Sequence, residues 1–369
     1  MRAETMPDAR ELKFRRLATE LRAEIRAGVW TSGAKLPTEQ ELSRTHEVSL
    51  TTVRRAVDEL VEEGLVIRRQ GAGTFVAEHA PAVRGGAALV GVIVPDTTLY
   101  YPKVLEGIEE ALAAAGARLM LACSHYRPVE EEAALKRMLD SGVDGLLVVP
   151  TLIGRADPLA VVERLTALPV PVVLIERGLD GGDDPSEHVR TDHEAGGYAA
   201  VRHLASLGHT RLALLTRSGN PTSAPVGQGF AAAVSDLGLR AAEPFSAPQG
   251  EWSPRVADEQ VRRVIAEDST AVVCFGDREA TLVVSAARRA GLAVPGDLAI
   301  VAYDDEIADL AEVPLTAVSP PKRHLGRHAA ELLLRRLREP DLPMHRVRLR
   351  PGIVVRRSCG ASSGEMTSD

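Results

Sequence analysis

The sequence predicts a small α+β unit of helix, turn, helix and two-stranded wing, followed by a two-lobed α/β body. Three observations predict it. Residues 36–76 hold two short helical patterns and two β-rich runs in immediate succession. From residue 88 the texture changes to apolar strand-like runs alternating with helical patterns, as a buried parallel sheet requires. The alternation then starts again near Tyr198, which makes two similar lobes in one chain.

The first helix is predicted over 11–27, where Phe14, Leu17, Ala18, Leu21 and Ile25 share a face and Gly28 ends the pattern. Thr38 stands three residues before Glu41, the capping-box spacing that opens a short second helix. Ser49 opens a third, in which Val53, Ala56, Val57, Leu60 and Val61 form one apolar stripe. Leu50, Thr51, Arg54, Arg55 and Asp58 fall on its opposite side, and Gly64 closes it. Strands over 65–69 and 74–77 flank the Gln70-Gly71-Ala72-Gly73 turn. This shape places the third helix in a major groove and the wing beside the backbone. A small helical domain with a solvated basic face is the plain alternative, but it does not explain the whole ordered string.

That string, LPTEQELSRTHEVSLTTVRRAVDELVEEGLVIRRQGAGTFV, closely resembles the winged helix-turn-helix of the GntR family of bacterial regulators over residues 11–78. The resemblance implies that Glu39, Gln40, Thr51, Thr52, Arg54, Gln70 and Gly71 occupy DNA-contact positions. Thr38, Ser49, Leu50, Arg69 and Gly73 join them as candidates. Family members often carry Arg where this chain has Gln40 and Leu50. Arg reads guanine and Gln reads adenine, so the change bears on base preference and leaves the docking mode alone.

Composition sets limits. The chain has 369 residues, enough for two or three cores, and a formal net charge of -7. Residues 1–78 hold thirteen Lys/Arg and thirteen Asp/Glu, a net of zero, so the body carries the full deficit. A neutral reader on an acidic body needs local basic patches to hold DNA: Lys35, Arg44, Arg54, Arg55, Arg68 and Arg69. Cys123, Cys274 and Cys359 lie far apart with no metal spacing, which fits reduced thiols and a cytoplasmic setting. No signal peptide or membrane span is predicted, and neither a cofactor nor a metal is called for.

Residues 79–87 (HAPAVRGGA) are expected to form a linker, and 360–369 a disordered tail. The linker has no helical pattern, so no minor-groove hinge helix is expected there. Strands are predicted at 88–95, 118–122, 145–149 and 170–175, with helices at 102–115, 129–141 and 157–167 between them. The second lobe is predicted to hold helices at 194–207, 226–238, 254–267 and 278–290, with strands at 211–215, 271–275 and 299–303. A helix at 323–338 and a strand over 347–355 close the sensor, whose span is 88–359. Lobe one takes about 88–190 plus 320–345; lobe two takes about 192–318 plus the last strand.

Runs in this body, among them GVIVPD, LEGIEEAL, GVDGLLVVP, HLASLGHTRLALL and AGLAVPGDLAIVAYDD, resemble in their order the sensor of LacI-type regulators. The fold implied is that of periplasmic sugar-binding proteins, and a GntR-type reader on such a sensor is the arabinose-repressor architecture. Ligands of such sheets bind past the carboxyl ends of the strands. Cleft candidates there are Asp96, Tyr100, Tyr101, Ser124, His125, Thr151, Glu176, Arg177, Asp192, Trp252, Asp277 and the Asp304-Asp305 pair. Aromatic faces, carboxylates and an arginine are the mixture a sugar needs. The resemblance implies effector-facing roles for Trp252, Asp304, Arg177 and Asp192; Trp252 alone fits packing equally well, and Asp277 fits a helix cap better. Two departures stand out: Val226 where the family often has Arg, and Gly276-Asp277 where it often has Asn-Asp. Arg177 is then the one obvious cleft cation.

No Walker loop, HExxH or CxxC occurs, and no nucleophile meets a base, so an enzyme is not expected. The expectation is a cytoplasmic, homodimeric repressor that binds a palindromic double-stranded operator under control of a small effector, a sugar. The alternatives are a sugar-binding sensor with a decayed reader and a sugar-converting enzyme.

Overall fold

The structure, a computed structural model, describes residues 9–26, 29–31, 33–62, 65–69, 72–77, 87–179 and 183–361. Gly28, Gly64, Gln70, Gly71, the stretch 79–86 and the tail from 362 lie outside the described residues. The chain divides into two compact units, Met1–Ala88 with Leu337–Pro340, and Leu89–Arg336 with Asp341–Asp369.

The first unit holds α1 (Ala9–Arg26), α2 (Glu39–Thr45), α3 (Leu50–Glu62), β1 (Val66–Arg69) and β2 (Gly73–Val76). Thr38 caps α2 as its spacing requires: its Oγ1 accepts the Glu41 amide at 3.3 Å and Glu41 Oε2 accepts the Thr38 amide at 2.7 Å. Ser49 Oγ accepts the Thr52 amide at 3.2 Å and opens α3. The predicted stripes become the core. Leu17, Ala18 and Leu21 of α1 bury with Val53, Ala56, Val57 and Leu60 of α3, and Val66 and Val76 of the wing close it. The wing pairs antiparallel, with Val66 opposite Val76 and Arg69 opposite Gly73.

In the second unit, lobe one is a parallel sheet ordered β14-β7-β6-β5-β3-β4. Its strands are β3 (Leu89–Val94), β4 (Arg118–Cys123), β5 (Gly145–Val148), β6 (Val172–Ile175), β7 (Glu187–Thr191) and β14 (Arg346–Leu349). Its helices are α4 (Tyr100–Ala114), α5 (Pro128–Asp140), α6 (Pro158–Thr166) and α11 (Lys322–Arg338), the last burying Leu325, Ala329 and Leu333 with Val104 and Ile108 of α4.

Lobe two is ordered β10-β8-β11-β12-β13-β15, with β9 beside β8. Its strands are β8 (Arg211–Ser218), β9 (Arg240–Ala241), β10 (Phe245–Pro248), β11 (Ala271–Cys274), β12 (Ala299–Tyr303), β13 (Thr316–Ser319) and β15 (Gly352–Val354). Its helices are α7 (His193–Ser206), α8 (Ser223–Asp236), α9 (Pro254–Ala266) and α10 (Asp277–Arg289). Only the β13–β15 pair is antiparallel.

Each lobe draws two helices together at a glycine. A Cβ on Gly107 of α4 would meet the Arg323 carbonyl oxygen of α11 at 1.9 Å, and one on Gly229 of α8 would meet the Glu194 carbonyl oxygen of α7 at 1.8 Å. Any larger residue there forces the backbones apart.

The strand predicted over 347–355 is two strands in different lobes: β14 pairs with β7 in lobe one and β15 with β13 in lobe two. Pro351 lies between them, without an amide to continue a ladder. The chain therefore crosses between lobes three times, at Asp192, at Pro320-Pro321 and at Arg350-Pro351. β7, β9, β10 and β13 are not among the strands the sequence predicts. β7 (EHVRT) carries too many polar residues to look like a buried strand.

Candidate functional site

The carboxyl ends of the parallel strands converge on a cavity of about 210 Å³ between the lobes. Lobe one brings Asp96, Tyr100, Tyr101, Tyr126, Glu176 and Arg177; lobe two brings Arg217, Phe275, Asp277, Asp304 and Glu306, and His193 stands at the crossing. Among the predicted residues, Asp96, Tyr100, Tyr101, Glu176, Arg177, Asp277 and Asp304 line it.

Glu176 organises the lobe-one wall. It follows β6 with a positive φ of 59° and is 4% exposed. The Tyr100 hydroxyl donates to it, and so do the Thr191 hydroxyl at 2.7 Å and the Thr191 amide at 3.2 Å. His193 Nε2 lies 3.3 Å from its Oε2. Burial opposes its charge, yet His193, Arg177 and Tyr100 hold the carboxyl at about 2. His193 Nδ1 shares a 3.0 Å hydrogen bond with the Tyr303 hydroxyl of lobe two. Nearby, Tyr101 and Tyr126 meet hydroxyl to hydroxyl at 3.4 Å.

Asp304 organises the facing wall. It follows β12 with φ of 94°. Burial raises its carboxyl to about 6, with Arg217 pulling it down and Asp277 pushing it up. Asp277 is not the cap of its own helix. Its Oδ2 accepts the Glu306 amide at 2.5 Å and the Ile307 amide at 2.9 Å, clamping the turn after Asp304. Lys322 of lobe one donates to the Asp304 carbonyl and pairs with Glu306 at 2.5 Å.

Six candidates lie outside this lining, one of them Asp305, whose Oδ1 pairs with Arg356 Nη1 at 2.7 Å. Trp252 is 3% exposed in the lobe-two core, edge-on to Phe245 at 5.7 Å, and its Nε1 donates to the Thr216 carbonyl at 3.3 Å. In this structure it packs in the core and does not face the cavity. Ser124 is fully buried, and its amide donates to the Val94 carbonyl at 2.9 Å. His125 is exposed in a turn with φ of 49°. Thr151 is buried with its amide on Glu131 at 2.7 Å. Asp192 caps α7, accepting the Ala195 amide at 3.0 Å. It lines a second chamber, which shares Glu176, Arg177 and His193 with the first.

Arg177 is not the sole cleft cation, because Arg217 and Arg278 also line the cavity. Arg217 escaped the sequence reading because β8 was expected to stop at 215 and runs to Ser218. The signal was present: Thr216-Arg217-Ser218 follows an apolar strand as the other cleft residues do. Phe275 is the last residue of a strand expected to be structural, and His193 stands just before the helix expected from 194.

On the reader, α3 presents Leu50, Thr51 and Arg54 exposed, beside exposed Gln40 and Thr38. Thr52 is half-buried under Ser49. Glu39 does not stand free. Its Oε2 takes Arg54 Nε at 2.8 Å, and Arg68 lies 3.9 Å from its Oε1. Arg69 stacks on Phe75 with its guanidinium 5.0 Å from the ring centroid. Gly73 has φ of 117° and packs on Lys35, whose Cε a Cβ would meet at 2.8 Å.

Comparison with known proteins matches both units. Residues 13–76 match the bacterial regulatory proteins of the gntR family, and residues 201–359 match a periplasmic binding protein-like domain. The chain is 30% identical to an arabinose metabolism transcriptional repressor of Geobacillus stearothermophilus, across 97% of this chain and 99% of that one. A solved transcription regulator, GntR from Chromobacterium violaceum, superposes on 74% of this chain and 100% of its own with a TM-score of 0.62 and 29% identity. A LacI family transcriptional regulator from Enterococcus faecium with bound ribose covers 73% of this chain and 98% of its own, with a TM-score of 0.59 and 26% identity.

Proposed function

The chain belongs to the family of transcriptional regulators, the arabinose repressors among them, that join a GntR-type reader to a periplasmic-binding-protein-like sensor, and on that premise we propose that a neutral monosaccharide bound between its lobes controls its hold on DNA. The cavity carries the proposal. Tyr100, Tyr101, Tyr126 and Phe275 offer ring faces for sugar C–H surfaces, and Glu176 and Asp304 offer acceptors for hydroxyls. Its volume of about 210 Å³ is below the roughly 300 Å³ at which pockets for drug-sized ligands begin. Five carboxylate side chains against three arginines line it, a balance that disfavours a phosphorylated sugar. The bound ribose of the Enterococcus relative and the name of the Geobacillus relative support the same ligand class.

The reader binds a two-fold operator as a homodimer in the cytoplasm, with α3 in the major groove and Thr38, Glu39, Gln40, Thr51 and Arg54 at the contact surface. Closure of the lobes on the sugar changes the spacing of the two readers, so half-sites one helical turn apart fit one state better than the other. Thermal unfolding against pentoses, hexoses, disaccharides and phosphosugars tests the sensor. A neutral monosaccharide at a hundred times its dissociation constant stabilises the protein by about 2.7 kcal/mol. Stabilisation by phosphosugars alone, or by no sugar, refutes the reading.

A further inference from the structure

At two positions the resemblance to LacI-type sensors implies hydroxyl-bonding side chains, and this chain has none there. Val226 is fully buried in the lobe-two core, and Gly276 has no side chain. The space at Gly276 is nevertheless filled. A Cβ there would lie 1.9 Å from Arg217 Nη2 and 2.3 Å from Glu279 Oε2. Arg217, near the end of β8, lays its guanidinium against the bare α-carbon of the neighbouring strand's end.

The arginine is fixed in that place. Nη2 donates to Glu279 Oε2 at 2.5 Å, and Glu279 is fully buried at the start of α10. The guanidinium carbon stands 5.2 Å from the Phe275 ring centroid, and the Arg217 carbonyl accepts the Ser223 hydroxyl at 2.6 Å. Among the described residues only Nη2 has a hydrogen-bond partner; Nε is buried without one. A half-buried, oriented arginine with unspent donors at a cavity wall is costly unless a ligand accepts from it. Arg217 lines the same cavity as Asp304, so a donor fork and a carboxylate acceptor flank one space.

We infer that Arg217, seated by Glu279 in the space that Gly276 leaves, selects the effector by donating to adjacent hydroxyl oxygens of a neutral sugar whose hydroxyls in turn donate to Asp304. One arginine from β8 takes over the work of the two missing side chains and approaches the sugar from a different strand. A side chain at Gly276, strained there already by a φ of 99°, also displaces the guanidinium. The inference rests on the monosaccharide reading above.

The test is calorimetric binding of D-ribose, D-xylose, L-arabinose, D-lyxose, D-glucose and D-galactose to the full-length protein and three variants. Arg217→Lys keeps the charge and loses the fork. Arg217→Met/Glu279→Gln removes the pair together, so that no carboxylate is left buried alone. Gly276→Ala leaves both partners and displaces them. The sugar that wild type binds best is expected to bind each variant about ten- to a hundredfold more weakly, the range for a hydrogen bond to a charged group. The preference between epimers is expected to collapse toward one. Cooperative thermal unfolding verifies that each variant is folded, and if the double variant is not, Arg217→Lys decides. Wild-type binding of a sugar with unchanged affinity and epimer preference in Arg217→Lys overturns the role of Arg217. No binding of any of these sugars to wild type overturns the monosaccharide reading and the inference with it.

Discussion

His193 Nδ1 lies 3.0 Å from the Tyr303 hydroxyl, tying the first turn of α7, where the chain leaves lobe one, to the end of β12 in lobe two. The other face of the same ring looks to Glu176, whose Oε2 is 3.3 Å from Nε2. A line of polar groups thus runs from Tyr100 through Glu176 and His193 to Tyr303, inside the crossing that any lobe motion must bend; His193 Nε2 faces Glu176 without a hydrogen bond. Low local dielectric strengthens each link and makes a broken link costly.

Tyr303→Phe keeps the ring and removes that link. Tyr303 is fully buried, so the loss leaves His193 Nδ1 without its partner in a dry site. The variant is expected to lose about 1–3 kcal/mol of stability in urea titration, the cost of an unsatisfied buried polar group. Wild-type stability in Tyr303→Phe would show that the link contributes nothing.

Glu176 and Asp304 give pH dependences of opposite sign. The Glu176 carboxyl sits at about 2, below its ordinary 4.5, so its stabilisation is present above about pH 4.5 and drains as pH falls toward 2. Asp304 sits at about 6, above its ordinary 3.8. Between those values the folded state holds more protons than the unfolded one, so stability declines as pH rises from 3.8 to 6 and levels off above. Asp304→Asn is therefore expected to raise stability at pH 7.5 by on the order of 2 kcal/mol and to make little difference below pH 4. A gain that is equal at pH 7.5 and pH 4 contradicts the assignment. Sugar hydroxyls donate to the ionised form, so effector affinity is also expected to fall below pH 6 in wild type.

Much of this molecule is legible in its sequence, and the exceptions have physical causes. Thr38 with Glu41, and the stripe from Val53 to Leu60, depend on neighbours in sequence and appear where spacing puts them. The surroundings of Trp252 and Asp277 are not legible because they are non-local: Thr216 and Phe245 enclose one, and the turn at 306–307 claims the other. Arg217 is missed because its place depends on an absence, Gly276, some sixty residues away in sequence. No periodicity records that two strand ends will lie side by side.

Arg54 is exposed on α3 and held by Glu39 of α2 through Nε at 2.8 Å. The contact spans the two helices of the reading motif and leaves the guanidinium's outer nitrogens for DNA. Arg54→Ala is expected to weaken operator binding by about 1–3 kcal/mol in fluorescence anisotropy. If affinity does not change at any salt concentration, Arg54 is not at the DNA surface. A loss that is uniform over operator variants marks a phosphate contact, whereas a loss confined to one base position marks base readout.

Trp252 separates packing from ligand contact. It is buried against Phe245 with its indole N–H on Thr216, one residue before Arg217. Trp252→Ala is expected to cost about 3–5 kcal/mol of stability, as large truncations in a core do. Trp252→Phe keeps much of the ring volume and loses only the indole donor. It is expected to cost less in stability and to leave sugar affinity near wild type, while Asp304→Asn, at the cavity wall, weakens binding strongly. Calorimetry in which Trp252→Phe loses as much affinity as Asp304→Asn would return Trp252 to the effector surface. In that event the lobe-two wall must rearrange on binding to bring the indole out of its core, since in this structure Trp252 is outside the cavity lining.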